Sequence, residues 1–345
     1  MKLQLYIVIL YNCLVITMDK SIEVTDSLWG SVTITDPVLI RLLQSKTIER
    51  LKWIGQHGPL NHITFLDGKK STVTRYGHSV GAMVLTLIAG GTTDEAIAAL
   101  LHDIIHTAFS HALDFFLESN AESYHEKYKK SLLKQFNKEL TNIMGENWKK
   151  YLDETVWTLI KTNNPFAIDI ADYTVRDAVE FGLCDSNVAQ IMAHQLTIIE
   201  KDNKRLLACK SVEASIWWRQ LSEKTNEIYT APWNLALNHY LVCGLKECIN
   251  NKIINMNELK KVPDSDCENR IFYQILASTQ SCANLLEYNT KEWHLFDVIS
   301  MIPENWTIIG DFDIRNRIVD PPIIGYEYIK YKTEYTKKTL AYIPL

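Results

Sequence analysis

The chain has 345 residues, 47% of them apolar and 22% charged, with a net charge of −5. That length and mix exclude a disordered chain and allow a sizeable core, as one large domain or one domain with an appended lobe. The acidic balance excludes broad electrostatic binding to nucleic acid, but not a local basic pocket for a phosphorylated small molecule.

Met1 to Thr17 is apolar with Lys2 as its single charge, a faint likeness to a secretory leader. Gln4 and Asn12 interrupt it, no small-x-small cleavage site follows, and it is short for a membrane span. Met18 comes directly after. Residues 1–17 are therefore expected to be a leader or disordered extension, with Met18 as the effective start. No other stretch is apolar enough to cross a bilayer, so no membrane partner is expected.

Asp36 to Gln56 reads as a helix, with Pro37 suited to its first turn and Val38, Leu42, Leu43, Ile48 and Leu51 at helical spacing. His78 to Ile88 is a second helical run, stopped by Gly90-Gly91. Thr92 or Thr93 can cap the next helix, with Asp94 and Glu95 favourably placed in its first turn. Further helical patterns cover about 122–138, 149–160, 168–182 and 185–200, then 234–250 and 267–287. From Phe296 onward, short alternating segments rich in Ile, Val, Tyr and Thr, broken by Pro303, Pro321 and Pro322, read as strands. The expected fold is mainly α: a helical domain over 18–205 and a smaller mixed α/β lobe over 206–345. The seven cysteines, at 13, 184, 209, 243, 248, 267 and 282, form no CxxC. Their scatter predicts reduced thiols in a cytoplasmic or nuclear setting, with secretion through residues 1–17 as the alternative.

Five of the ten histidines fall between His78 and His125. The central run from Leu101 to Asp114 reads LHDIIHTAFSHALD, and its adjacent His102-Asp103 can offer an imidazole nitrogen and a carboxylate oxygen to one ion. His106 would lie one helical turn on, on the face of His102. A mixed His/Asp shell suits Mn, Fe, Zn or Co and leaves room for bound water. A lone HD dipeptide means little, and a lone helix histidine is usually a satisfied core residue. Here the pair has TRYGHSVG (74–81) upstream and DIADYTVRD (169–177) downstream.

Together these segments resemble the HD superfamily, in particular its deoxynucleoside triphosphate triphosphohydrolase branch. The likeness runs from about Ile22 to Gly182: Arg75-Tyr76-Gly77-His78-Ser79, then His102 to Asp114, then His125-Glu126, then Asp169 to Asp177. A weaker echo is RNRIVDPP at 315–322. The resemblance implies an HD-type helical core and one divalent metal (Mn, Fe, Zn, Co or Mg) held by His78, His102, Asp103 and Asp169, with Asp172 a helix-stabilising neighbour. It implies Arg75 as a phosphate-binding group and His106, His111, His125 and Asp114 as the groups handling protons and phosphate charge. Tyr173 and Asp177 would line the phosphate or sugar side, and Gln56 would stand near the sugar.

Two departures qualify the match. Ile170 stands where the branch often carries Arg or Lys after the ligand Asp, which weakens the case for a triphosphate. Ile105 and Ala108 replace a common Gly and Pro, which can alter the turn after His106. The resemblance implies hydrolysis of a nucleotide, with a dNTP giving deoxynucleoside and triphosphate as first choice and a monophosphate or other phosphoester second. A nucleotide-binding protein of this fold without turnover is the non-enzymatic alternative, and a homo-oligomer is possible. HDIIH also mimics the zinc-protease HExxH, but Asp is a carbon too short for that base and the flanking segments go unexplained.

Overall fold

A computed structural model describes residues 6–10, 13–18, 21–64, 70–116, 124–160, 166–259, 267–279, 291–315, 317–319, 321–325 and 335–344. For 6–10, 13–18, 115–116, 124–126, 256, 267, 315 and 335 it describes the backbone alone. The chain is mainly α-helical. It opens with a four-stranded antiparallel meander: β1 (Tyr6–Leu10), β2 (Cys13–Met18), β3 (Ser21–Asp26) and β4 (Gly30–Ile34). Part of the segment expected to be a leader or disordered extension thus has strand backbone, Thr17 opposite Ile22 and Val15 opposite Val24. β3 alternates half-buried and buried residues, and Ile22, Val24 and Asp26 point into the core.

The helix expected over Asp36–Gln56 is broken. Asp36 caps α1 (Pro37–Leu43) through Val38 and Leu39 N–H. Ser45, in extended conformation, then caps a new turn, α2 (Lys46–Glu49), followed by a 3-10 turn at Arg50–Trp53. α3 (Arg75–Ile88) starts three residues earlier than expected, because the Thr74 hydroxyl accepts from Gly77 N–H. Every residue from Arg75 to Thr86 is buried, so α3 is the central helix. α4 (Thr93–Leu101) packs on it and opens with a Thr92/Glu95 capping box.

α5 (Tyr124–Met144), α6 (Ile168–Glu180) and α7 (Ser186–Ala193) complete the first part of the molecule. Two expected helices are replaced. Over 149–160 the chain makes a 3-10 turn (Glu146–Leu152) and irregular turns, where Asp153 takes the Thr155 N–H and hydroxyl and competes with helical bonding. The pattern over 185–200 ends as helix at Ala193. Leu196–Lys201, rich in β-branched residues, is β5, paired with β6 (Lys204–Cys209) through a turn with Asp202 and Asn203 at φ 51° and 58°. The expected boundary at 205/206 falls inside β6.

α8 (Val212–Tyr229), not anticipated from sequence, starts at a Ser211 cap. α9 (Pro232–Asn250), α10 (Met256–Leu259) and α11 (Cys267–Ser278) follow, then β7 (Lys291–Phe296), β8 (Thr307–Arg315) and β9 (Tyr335–Pro344) in the order β7-β9-β8. Two apolar cores result. One is built on α3, α4 and α6 and takes in β3 and Trp218 and Leu221 of α8. The other joins Phe109, Ala112 and Leu113 to α9, α11 and the last sheet. Ile104 and Ile105 belong to the first core and Phe109 and Leu113 to the second, so the loop through His106 runs from one core to the other. Among the described residues, no helix is long and apolar enough to cross a membrane.

A candidate metal centre

Three helix ends converge. α3 carries His78 on its first turns, α4 ends at His102 with Asp103 next, and α6 presents Asp169 in its first turn. His78 Nε2 is 3.1 Å from His102 Nε2 and 3.1 Å from Asp169 Oδ1, and His102 Nε2 is 3.5 Å from Asp169 Oδ1. Asp103 adds oxygens 3.4 Å from His102 Nε2 and 3.6 Å from His78 Nε2. Ligand atoms about 2.1 Å from one divalent ion stand roughly 3.0 Å apart at a right angle and roughly 3.4 Å apart at the tetrahedral angle. The spacing of His78, His102 and Asp169 fits one ion, with one Asp103 oxygen beside each imidazole.

Proton bookkeeping points the same way. His78 Nδ1 faces Asp172 Oδ2 at 2.8 Å and His102 Nδ1 faces the Ala99 carbonyl at 2.6 Å, both acceptors. Each ring therefore donates from Nδ1, and in its neutral form each Nε2 is a lone pair. Two nitrogen lone pairs and two carboxylates facing one another repel unless a cation or a proton sits among them. In the metal-free chain a proton does so. Burial pulls the His78 pKa down, but hydrogen bonds to Asp169 and Asp172 and the charges of Asp172 and Asp103 outweigh it and raise it to about 10. Burial pushes Asp103 upward, and the charges of His102, His106 and Arg75 more than reverse this, holding it well below the usual carboxylate range.

Beneath the cluster lies a closed polar network. Asp172, fully buried, accepts from His78, from Trp29 Nε1 (2.5 Å) and from Arg176 Nε and a terminal nitrogen (2.8 Å each). Arg176 also reaches Asp26 at 3.0 Å, and Asp26 accepts from the backbone of Leu28 and Trp29. Gly81 leaves room for it: a Cβ there would stand 1.8 Å from the Arg176 guanidinium and 2.4 Å from Asp172. Asp172 is thus more than a helix-stabilising neighbour. It fixes the tautomer and tilt of a ring that faces the ion site.

Arg75 lies buried at the start of α3, with Nη1 2.5 Å from Asp103 Oδ2 and Nε donating to Ser110 Oγ at 2.8 Å. Ser110 and Phe109 adopt φ of 48° and 63°, left-handed values uncommon outside glycine, and this kink brings Ser110 Oγ between Arg75 and the Gly55 carbonyl (2.7 Å). His106 does not follow His102 on a helix, because α4 stops at Leu101. Arg50 donates to the carbonyls of Ile104 and His106 and holds that loop so that His106 Nε2 stands 3.4 Å from Asp103 Oδ1. With His106 off the helix, the HExxH likeness has no structural counterpart. His111 is paired with Asp114 at 2.8 Å and lies edge-on to His106. His125 sits in the first turn of α5, and its side chain falls outside the described residues.

On the α6 side, Tyr173 lies 6.5 Å, ring to ring, from His78 and 6.4 Å from Tyr229. Asp177 accepts from the Tyr229 hydroxyl at 2.5 Å, and burial together with Asp177 pushes that phenol well above its usual range. His57 Nε2 stands 2.9 Å from the other Asp177 oxygen, too bent for a hydrogen bond. Gln56 keeps a buried side-chain carbonyl without a hydrogen-bond partner. Sequence reasoning did not single out Asp26, Trp29, Arg50, His57 and Tyr229; His57 directly follows Gln56, while Tyr229 lies beyond the last of the four matched segments. A cleft lined by Ile105, Lys129, Tyr151 and Trp157 opens beside His102.

The HD domain family model matches residues 75–193. The uncharacterized protein YdhJ of Bacillus subtilis is 35% identical over 313 residues, 87% of this chain and 88% of that one. This chain belongs to the HD-domain family. Its homologues include the metal-dependent phosphohydrolase cns2 of Cordyceps militaris, 37% identical over 204 residues, 57% of each chain. A crystal structure of a phosphohydrolase from Bacteroides thetaiotaomicron covers 94% of this HD-domain chain and all of its own, with a TM-score of 0.62 at 15% identity. That last likeness is one of fold alone. The class these relatives support is a metal-dependent phosphohydrolase.

Proposed function

We propose that this HD-domain protein is a metal-dependent phosphohydrolase acting on a nucleotide, with a dNTP, cleaved to deoxynucleoside and triphosphate, as first choice. The observation that carries the reading is the cluster of His78, His102 and Asp169, whose spacing and tautomers call for a cation, with the Asp103 oxygens 3.4 and 3.6 Å from the two imidazoles. A divalent ion held there supplies an acidified water and a Lewis acid for a phosphoryl oxygen. The chain's own groups do the rest. Asp172 keeps the His78 lone pair aimed at the site. Arg75, already touching Asp103, offers a planar fork to phosphate oxygens beside the cluster. His111, oriented by Asp114, hands a proton to the departing oxygen, with His106 and His125 around the phosphate charge. Tyr173 and Asp177 line the phosphate or sugar side, and Gln56 stands near the sugar, in this reading.

The second reading is a nucleoside monophosphate. It is favoured by Ile170, whose side chain packs against the apolar core and adds no positive charge beside Asp169. A nucleotide panel with Mn, Mg, Fe or Co, followed by phosphorus NMR, separates the two. Inorganic triphosphate marks the dNTP reaction, and orthophosphate from a monophosphate marks the other. No phosphorus product from any nucleotide, with metal bound, refutes both and leaves binding without turnover.

A further inference from the structure

The echo RNRIVDPP lies far from the α6 motif in sequence, and the fold brings Arg317 of it over Tyr229, the partner of Asp177 in that motif. Residues 317–325 run as a strap over α8 and β6. Arg317 N–H donates to Asn226 Oδ1 (2.8 Å) and Val319 N–H to Ser222 Oγ (3.0 Å). Pro321 O accepts from Ser215 Oγ (3.1 Å), Pro322 O from Cys209 N–H (2.7 Å), and Ile324 N–H donates to Cys209 O (3.2 Å). Asn316 and Asp320 fall outside the described residues. A strap pinned at five points, with Val319 buried, fixes where Arg317 stands.

It stands over Tyr229, the guanidinium carbon 5.5 Å from the ring centroid. Tyr229 is the residue that donates to Asp177 and lies edge-on to Tyr173, so Arg317 caps the same wall that faces His78. Burial lowers the His111 pKa, and the charges of Arg75 and Arg317 act in the same direction. Yet Arg317 has no carboxylate partner among the described residues, whereas Arg75 and Arg176 are both committed to buried aspartates. Half-buried, held in place and without a carboxylate among the described residues, it is a cation open to an anion.

We propose that Arg317 binds the charged tail of the substrate, the phosphate groups beyond the one at the metal, and supplies from the C-terminal strap the cation that position 170 lacks. The assignment rests on the phosphohydrolase reading above and makes Arg317 a specificity-determining residue for polyphosphate over monophosphate. A guanidinium over the Tyr229 ring still offers its N–H groups to phosphate oxygens.

The test measures binding first, so that it does not depend on turnover. Inorganic tripolyphosphate and orthophosphate are titrated calorimetrically into the manganese-loaded full chain and its Arg317→Gln and Arg317→Lys variants. Loss of one charge-assisted contact predicts roughly ten- to a hundredfold weaker tripolyphosphate binding in Arg317→Gln, partial recovery in Arg317→Lys, and orthophosphate binding within about threefold of the parent. Equal weakening of both anions, or none, overturns the proposal. Thermal unfolding of each variant separates a broken strap from a lost contact. A variant melting well below the parent, with Arg317→Lys no better than Arg317→Gln for tripolyphosphate, also overturns it. If tripolyphosphate binding depends on Arg317 but no nucleotide is cleaved, the phosphohydrolase reading fails and the anion site stands.

Discussion

Two buried polar clusters sit one above the other, and they are built on opposite rules. In the lower one, Asp26, Trp29, Asp172 and Arg176 match donors to acceptors among themselves, and Asp172 receives four hydrogen bonds. In the upper one, His78, His102, Asp103 and Asp169 turn acceptors toward acceptors. A closed network can hold the fold without help. A cluster of facing lone pairs is completed by something the chain does not contain. His78 belongs to both, one nitrogen in each, so the structural network sets the geometry of the chemical one.

The comparison breaks most visibly at Arg176. Replacing it by Ala leaves Asp26 and Asp172 buried together without their cation, which should cost about 3–5 kcal/mol of folding stability. Urea unfolding of the metal-free chain measures this, and a loss below about 1 kcal/mol would show that the lower network is not closed. Gly81→Ala should act through the same guanidinium, by displacing it.

In the upper cluster, His102→Ala should cut metal affinity by roughly a hundredfold or more, since the proposed ligand set would share a binding free energy of about 10–16 kcal/mol, the range of structural zinc sites. Metal-free stability should change far less than in Arg176→Ala. Competition with a chromogenic chelator and urea unfolding together check both halves, and an unchanged metal content removes His102 from the set.

Asp172→Asn lies between the two regions. The amide can still meet Trp29 but no longer holds the His78 proton by charge, so metal affinity should fall about ten- to a hundredfold while the ligands stay in place. Affinity equal to that of the parent would confine Asp172 to the fold.

The mildest probe is pH, which should lower the stability of the metal-free protein as it rises and leave the metal-loaded protein nearly flat above about pH 6.5. The pKa of His78 in the folded, metal-free chain is raised to about 10, above its unfolded value. Its protonated form therefore stabilises the apo protein fully below about pH 6.5, and that stability is lost as pH rises toward 10. Metal must displace the same proton, so apparent affinity should rise about tenfold per pH unit between 7 and 9. Melting curves of apo and metal-loaded protein over pH 6.5–9.5 check this. Parallel slopes would mean that the proton and the metal do not share His78.

The sequence by itself determined the helical class of the first two thirds, the capping of α4 and the ordered motifs that identify the family. These are local: a Thr-x-x-Glu cap or an apolar stripe is written in adjacent residues. It misjudged 149–160 and 185–200, where Asp153 and the β-branched run after Ala193 override helical spacing, and it gave no sign of α8. Only the tertiary structure decided that Asp172 holds His78, that Arg50 sets the loop of His106, and that Arg317 reaches Tyr229. In each case the partners are at least 50 residues apart, and burial, not spacing, selects them. A buried charge must find a partner wherever the chain brings one, and no periodicity in the sequence records where that will be.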